Sequence, residues 1–105
     1  MKLWIDDVRT APEGYLWFKS VNDAIEIIKL AEHICNGFGR KCVIELIDLD
    51  HDAGDYAKNG GDYINLLDWL EETGRNYPIR IHSMNPVGRE NMRQIIQRNG
   101  WNEIC

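Results

Sequence analysis

The chain predicts an open α/β sheet of parallel strands, and three observations predict it. Short apolar runs alternate with stretches of helical periodicity, the pattern of strand–helix units in a parallel sheet. The run at 42–47 is almost continuously apolar and β-branched, as suits a central strand covered on both faces. Three runs end in ionisable clusters: Asp6-Asp7, Asp50-His51-Asp52 and His82-Ser83-Met84-Asn85. Parallel strands align their carboxyl ends along one edge, and ligands bind outside that edge. Carboxylates and imidazoles converging there would suit a cation, a phosphate, or both.

In chain order, residues 2–5 form the first strand and stop at the acidic pair. Residues 9–15 hold Pro12 and Gly14 and read as a loop. The aromatic run 16–19 is the second strand, with too short a connection before it for a full helix. Asn22 is a candidate N-cap, followed by Ala24, Ile25, Ile28, Ala31 and Ile34 at helical spacing, and Gly37 and Gly39 close that helix. The central strand, 42–47, runs into Asp48-Leu49-Asp50-His51-Asp52. The polar, glycine-bearing stretch 53–61 predicts a mobile loop over the site. Asp62 would cap the next helix, whose inner face is Tyr63, Leu66, Leu67 and Leu70. Residues 78–82 make a further strand. Asn85 then caps a helix with Pro86 at its first position, a favoured arrangement. Met92, Ile95 and Ile96 face inward, Gly100 ends the helix, and 101–104 could add a short last strand. Trp4, Trp17 and Trp69 fall in apolar patterns and read as core, whereas Tyr56 on the loop could stack on a base.

The 105 residues amount to one domain's worth of chain. The formal net charge of −5 disfavours sequence-independent binding to a duplex, which needs a broad basic footprint. Local contact with a nucleotide or a strand end is still compatible with it. Cys35, Cys42 and Cys105 are odd in number and lack C-x-x-C spacing, so reduced thiols in a cytoplasm are expected rather than disulfides or thiolate zinc. The opening MKLWIDD turns acidic too early for a secretory signal, and no apolar run is long enough for a bilayer.

The order of Asp6-Asp7, Asp50 and Ser83 at successive strand ends resembles that of response-regulator receiver domains. More specifically, IDDVR at 5–9, LDHDAG at 49–54 and HSMNPVGRENM at 82–92 resemble the cyclic-phosphate processing receiver domains. The resemblance implies a three-layer flavodoxin-like (receiver-like) parallel sheet of about five strands, here with the first and last helices missing or shortened. It also implies action on cyclic phosphate ends, such as those of RNA, in repair or defence. In ordinary receivers the acidic pair and a third aspartate hold Mg²⁺, and that aspartate accepts a phosphoryl group contacted by Ser or Thr. Their lysine after the fifth strand is missing, since no Lys follows Lys58.

Hard cations such as Mg²⁺ take oxygen ligands in near-octahedral geometry. Asp6, Asp7, Asp50 and Asp52 are therefore the candidate ligands for Mg²⁺, or for Mn²⁺. Ring-opening of a cyclic phosphate needs a base for water and an acid for the leaving oxygen, and imidazole titrates in the right range. This nominates His51 and His82, with Asp50 and Ser83 at the reacting phosphoryl group. Arg9, Ser83, Asn85, Gly88, Arg89 and Asn91 are candidate phosphate contacts, because free N–H groups and a positive dipole end open the helix at Pro86. The expected partner is a phosphate-bearing small molecule or nucleic-acid end. Alternatives are a signalling module phosphorylated at Asp50, or a non-catalytic adaptor with a phosphate pocket.

Overall fold

The computed structural model describes residues 1–37 and 44–105. Four strands, β1 (Lys2–Ile5), β2 (Tyr15–Phe18), β3 (Leu46–Leu49) and β4 (Ile79–Ile81), form one parallel sheet in the order β2-β1-β3-β4. The expected last strand is reduced to one parallel bridge between Ile79 and Glu103. That bridge stands in the fifth position of the flavodoxin-like order, in which the chain switches direction between β1 and β3.

Helices α1 (Val21–Gly37), α2 (Ile64–Glu72) and α3 (Pro86–Asn99) follow β2, β3 and β4. Ser20, rather than Asn22, caps α1: its hydroxyl accepts from Asp23 N at 3.1 Å, the usual bond of an N-cap serine. Asp62 does not cap α2 but accepts from Ala53 N at 2.9 Å, closing the loop base to base. Between them lies a 3-10 helix, Gly54–Asn59, instead of an irregular loop. Tyr56 there packs on the core with Lys19 over its ring. The proposed closing role of Gly39 and the strand positions Cys42 and Val43 lie outside the described residues.

Strand alternation sorts the side chains. Leu3, Ile5, Ile47, Leu49, Ile79 and Ile81 join Leu66, Leu67, Met92 and Ile96 in the core. Along α1, Ala24, Ile28 and Ala31 point inward, whereas Ile34 is exposed. The helices form one row on this face: Arg75 forks Glu32 to tie α1 to the end of α2, and Arg98 forks Glu71 to tie α2 to α3. On the opposite face the register sets Trp17, Trp4, Asp48 and Arg80 in a single line across the sheet. No helix separates β1 from β2, so the first-helix position over that line is vacant.

The carboxylates in these ties contribute to stability at acid pH. The Arg75 hydrogen bonds hold Glu32 below its ordinary 4.5. Arg98 and then Asn99 bring Glu71 down to about 2. Groups with lowered folded-state pKa stabilise above the unfolded value and lose that contribution as pH falls through the folded one. Denaturant midpoints are therefore expected to fall as pH drops from 4.5 toward about 2. Glu71→Gln should flatten part of that decline, and an unchanged slope would show that the Arg98 pair is inert.

Candidate functional site at the carboxyl edge

Asp6 follows β1 and is fully buried. Its Oδ1 accepts from Val8 N at 3.0 Å and Arg9 N at 2.9 Å, and the Trp17 indole donates to its carbonyl at 2.7 Å. The Trp4 indole donates to Arg9 O at 2.9 Å. The two tryptophans, expected in the core, also pin the acidic turn: Trp4 is buried, though apart from the main core cluster, and Trp17 is half-buried. This pinning replaces the missing helix as the support for residues 6–9.

The other Asp6 oxygen meets His82. His82 Nε2 is 2.8 Å from Asp6 Oδ2, and its Nδ1 is 2.7 Å from Asp48 Oδ1. The ring lies flat on Trp4, with centroids 3.8 Å apart and planes within 2°. Asp48 is fully buried; its Oδ2 has no hydrogen-bond partner, and Arg80 Nη1 stands 3.6 Å away. Asp50 follows β3, accepts from His51 N at 2.8 Å, and faces Arg9 Nη1 at 3.6 Å. One ligand atom from each of Asp6, Asp50 and His82 falls within 4.8 Å of the others.

Burial pushes the Asp6 carboxyl up, but the Arg9 and Val8 N–H groups and His82 outweigh it, so its pKa is lowered. Asp7 goes the other way. Burial raises it most, its own N–H opposes, and repulsion from Asp6, Asp50 and Asp52 adds to the rise. Its carboxylate lies against Gly54, where an added Cβ would come within 2.5 Å of Oδ2. Asp7 and Asp52 are thus neighbours of the compact trio rather than members of it.

His51 is anchored by a 2.7 Å contact from Nδ1 to Asp52 Oδ1. Its ring packs on the first turn of α3, where a Cβ on Gly88 would lie 2.5 Å from its Cγ. Gly88 therefore makes room for the imidazole, not for an incoming anion as expected. Asn85 spends its side-chain oxygen on Gly88 N at 3.0 Å, as its capping role requires. Ser83 is buried, and its hydroxyl accepts from Asn85 N at 3.1 Å. Arg89 donates to Ser83 O and Arg9 to His82 O. Asn91 is exposed on α3.

Two clefts flank this cluster. One of about 370 Å³ is lined by Ser83, Met84, Pro86, Arg89, Glu90 and Arg93. The other, of about 390 Å³, brings Arg80, Arg89 and Arg93 beside His82. Arg93 is forked onto Glu103. Asp48, Arg80 and Arg93 were not among the candidates from sequence, though the alternation in LIDL and IRI marks Asp48 and Arg80 as facing away from their apolar neighbours.

The donor set fits a divalent cation. Two carboxylates and one imidazole offer ligand atoms within 4.8 Å of one another, and Arg9 Nη1 already stands 3.8 Å from Asp6 and 3.6 Å from Asp50, so positive charge is favoured at this point.

The sheet order, the switch between β1 and β3, and aspartates at the ends of both strands define a receiver-like α/β protein. Residues 1–98 match the family model of the Cyclic-phosphate processing Receiver domain, and the chain belongs to that family. It is thereby a receiver domain tied to cyclic-phosphate processing. No curated protein and no solved structure matches it. No helix among the described residues is long and apolar enough to cross a membrane.

Proposed function

We propose that the domain is a metal-dependent phosphoesterase that opens cyclic phosphates, for example the 2′,3′-cyclic phosphate ends of RNA or nucleotides. The observation that carries this reading is the meeting of Asp6, Asp50 and His82 within 4.8 Å beside arginine-lined clefts. A divalent cation there would neutralise phosphoryl charge and lower the pKa of water.

The chain's own residues divide the remaining work. Arg9, with its side chain 46% exposed beside Asp50, can fork phosphate oxygens as a charge-assisted donor. Arg89, held over Ser83, adds a second cation from the α3 side. His51 moves the proton. Asp52 fixes Nδ1, which leaves Nε2 as the working nitrogen, the same division of labour as in other carboxylate-oriented histidines. Water adds to phosphorus, one ester P–O bond breaks, and the freed sugar oxygen gains a proton while the water loses one. His82 has a carboxylate on each nitrogen, so its part is to organise the site rather than to carry protons.

Incubation with 2′,3′-cyclic nucleotides and Mg²⁺ or Mn²⁺ tests this. The expected result is conversion to a monophosphate, abolished in Asp50→Asn with the fold intact. Absence of turnover for every base and cation would overturn the hydrolase reading. Stabilisation by ligand without turnover would point to a binding domain instead.

A further inference from the structure

We infer that His82 is a direct nitrogen ligand of the cation, oriented by Asp48, and that the site selects a first-row transition ion over Mg²⁺. This rests on the reading of the trio as a cation site and adds what the carboxylates alone do not specify. The arrangement of Asp48 and His82 carries it. A metal-bound histidine generally gives its second nitrogen to a carboxylate, which fixes the tautomer and ring orientation. Asp48 meets Nδ1 at 2.7 Å from full burial, and Trp4 stacks the ring at 3.8 Å, so Nε2 is aimed at the Asp6–Asp50 side.

Ionised carboxylates only accept hydrogen bonds, so each nitrogen of His82 needs a hydrogen or a cation between it and the oxygen it faces. At Nδ1 a hydrogen suffices. At Nε2 the spacing also suits an ion. Ligands about 2.1 Å from an ion sit about 3 Å apart at adjacent octahedral corners, and Nε2 and Asp6 Oδ2 are 2.8 Å apart. Asp48 Oδ2 faces Arg80 Nη1 at 3.6 Å, so this carboxylate has its own counter-charge while Oδ1 orients the ring.

Ligand type then sets the choice of ion. Mg²⁺ favours all-oxygen shells and sheds water reluctantly, whereas imidazole suits zinc, iron, copper and nickel, and manganese takes the carboxylates. Asp7 and Asp52 remain as neighbouring charge, with Asp52 held on His51.

Pulsed electron paramagnetic resonance of Mn²⁺ bound to the whole chain provides the test. One directly bound nitrogen is expected, with its coupling altered when the protein is uniformly labelled with the heavier nitrogen isotope. The signal should persist in His51→Ala and vanish in His82→Gln. Asp48→Asn should weaken Mn²⁺ binding roughly 10–100-fold, and Mg²⁺ should compete at least about tenfold less well than Mn²⁺. Bound Mn²⁺ without nitrogen coupling, or equal competition by Mg²⁺, would overturn the His82 assignment and leave an oxygen-only site at Asp6 and Asp50. Failure of every divalent ion to bind would overturn both this assignment and the metal-dependent reading. The isotope comparison uses the unaltered protein, so it decides the question even if the His82 variant does not fold.

Discussion

His82→Phe is expected to cost about 3–5 kcal/mol of folding stability, the usual range when one partner of a buried charged network is removed. Phenylalanine has a similar shape and can keep the stack on Trp4, so the loss isolates the two nitrogens. Without them Asp6 Oδ2 and Asp48 Oδ1, both on fully buried residues, face an apolar ring. In a domain of this size the melting temperature should fall by well over about 10 °C. The deficit also has a definite pH dependence. His82 helps hold Asp6 below 3.8, and a lowered carboxylate stabilises above its unfolded pKa and ceases to do so below the folded one. The gap between wild type and variant should therefore be widest near neutrality and narrow as pH falls below 3.8. Asp48→Asn in the same background should recover part of the loss, because it removes one stranded charge and the sites are coupled. Denaturant unfolding of the wild type and the two variants measures all of this. A deficit below about 1 kcal/mol would mean that water reaches these carboxylates and that the ring is not their counterpart.

The origin of that network separates what the sequence discloses from what it conceals. Asp6, Asp50 and His82 were legible because each follows a short apolar run, and parallel topology brings such ends together. Their supports were not. Asp48 lies inside β3, with Ile47 and Leu49 in the core on either side of it. Reading the strand as 42–47 put Asp48 in the loop and hid that it faces the opposite side of the sheet from the core. Trp4 and Trp17 look like core residues in any hydropathy pattern. They became anchors for residues 6–9 because no helix among the described residues lies between β1 and β2, a fact about the topology rather than about either residue. The 3-10 helix at Gly54–Asn59 escaped for a different reason. Its polar, glycine-rich composition is that of a loop, and its order comes from Asp62 accepting Ala53 N across the segment. Ser20 took the cap from Asn22 because cap choice depends on which side-chain oxygen reaches the third helical N–H, which propensity ranks do not resolve.

Gly88→Ala should abolish most turnover while barely moving stability, which makes it the sharpest test of how His51 is used. On a helix the substitution is favourable by about 1 kcal/mol, and overpacking against a neighbour costs about 1–3 kcal/mol, so the two largely offset. The collision is local and cannot be relieved by rotating the ring about its own axis. The added Cβ would approach His51 Cγ at 2.5 Å and Cδ2 at 2.6 Å, and Cγ lies on that axis. The backbone cannot yield easily either, since His51 N is bound to Asp50 and His51 O accepts from Tyr63 N at 2.9 Å. The imidazole must therefore leave through its first torsion, which breaks its contact with Asp52. Loss of a positioned general acid–base group costs about 10²–10⁴-fold in rate, and Gly88→Ala should reach the same floor as His51→Ala. The double variant should be no worse than either single one, because both remove the same group. Metal binding at Asp6, Asp50 and His82 should survive in all three, so the defect would appear in kcat with the cation still bound. Normal turnover in Gly88→Ala, with the ring shown to be displaced, would remove His51 from the reaction and pass the proton transfer to another group.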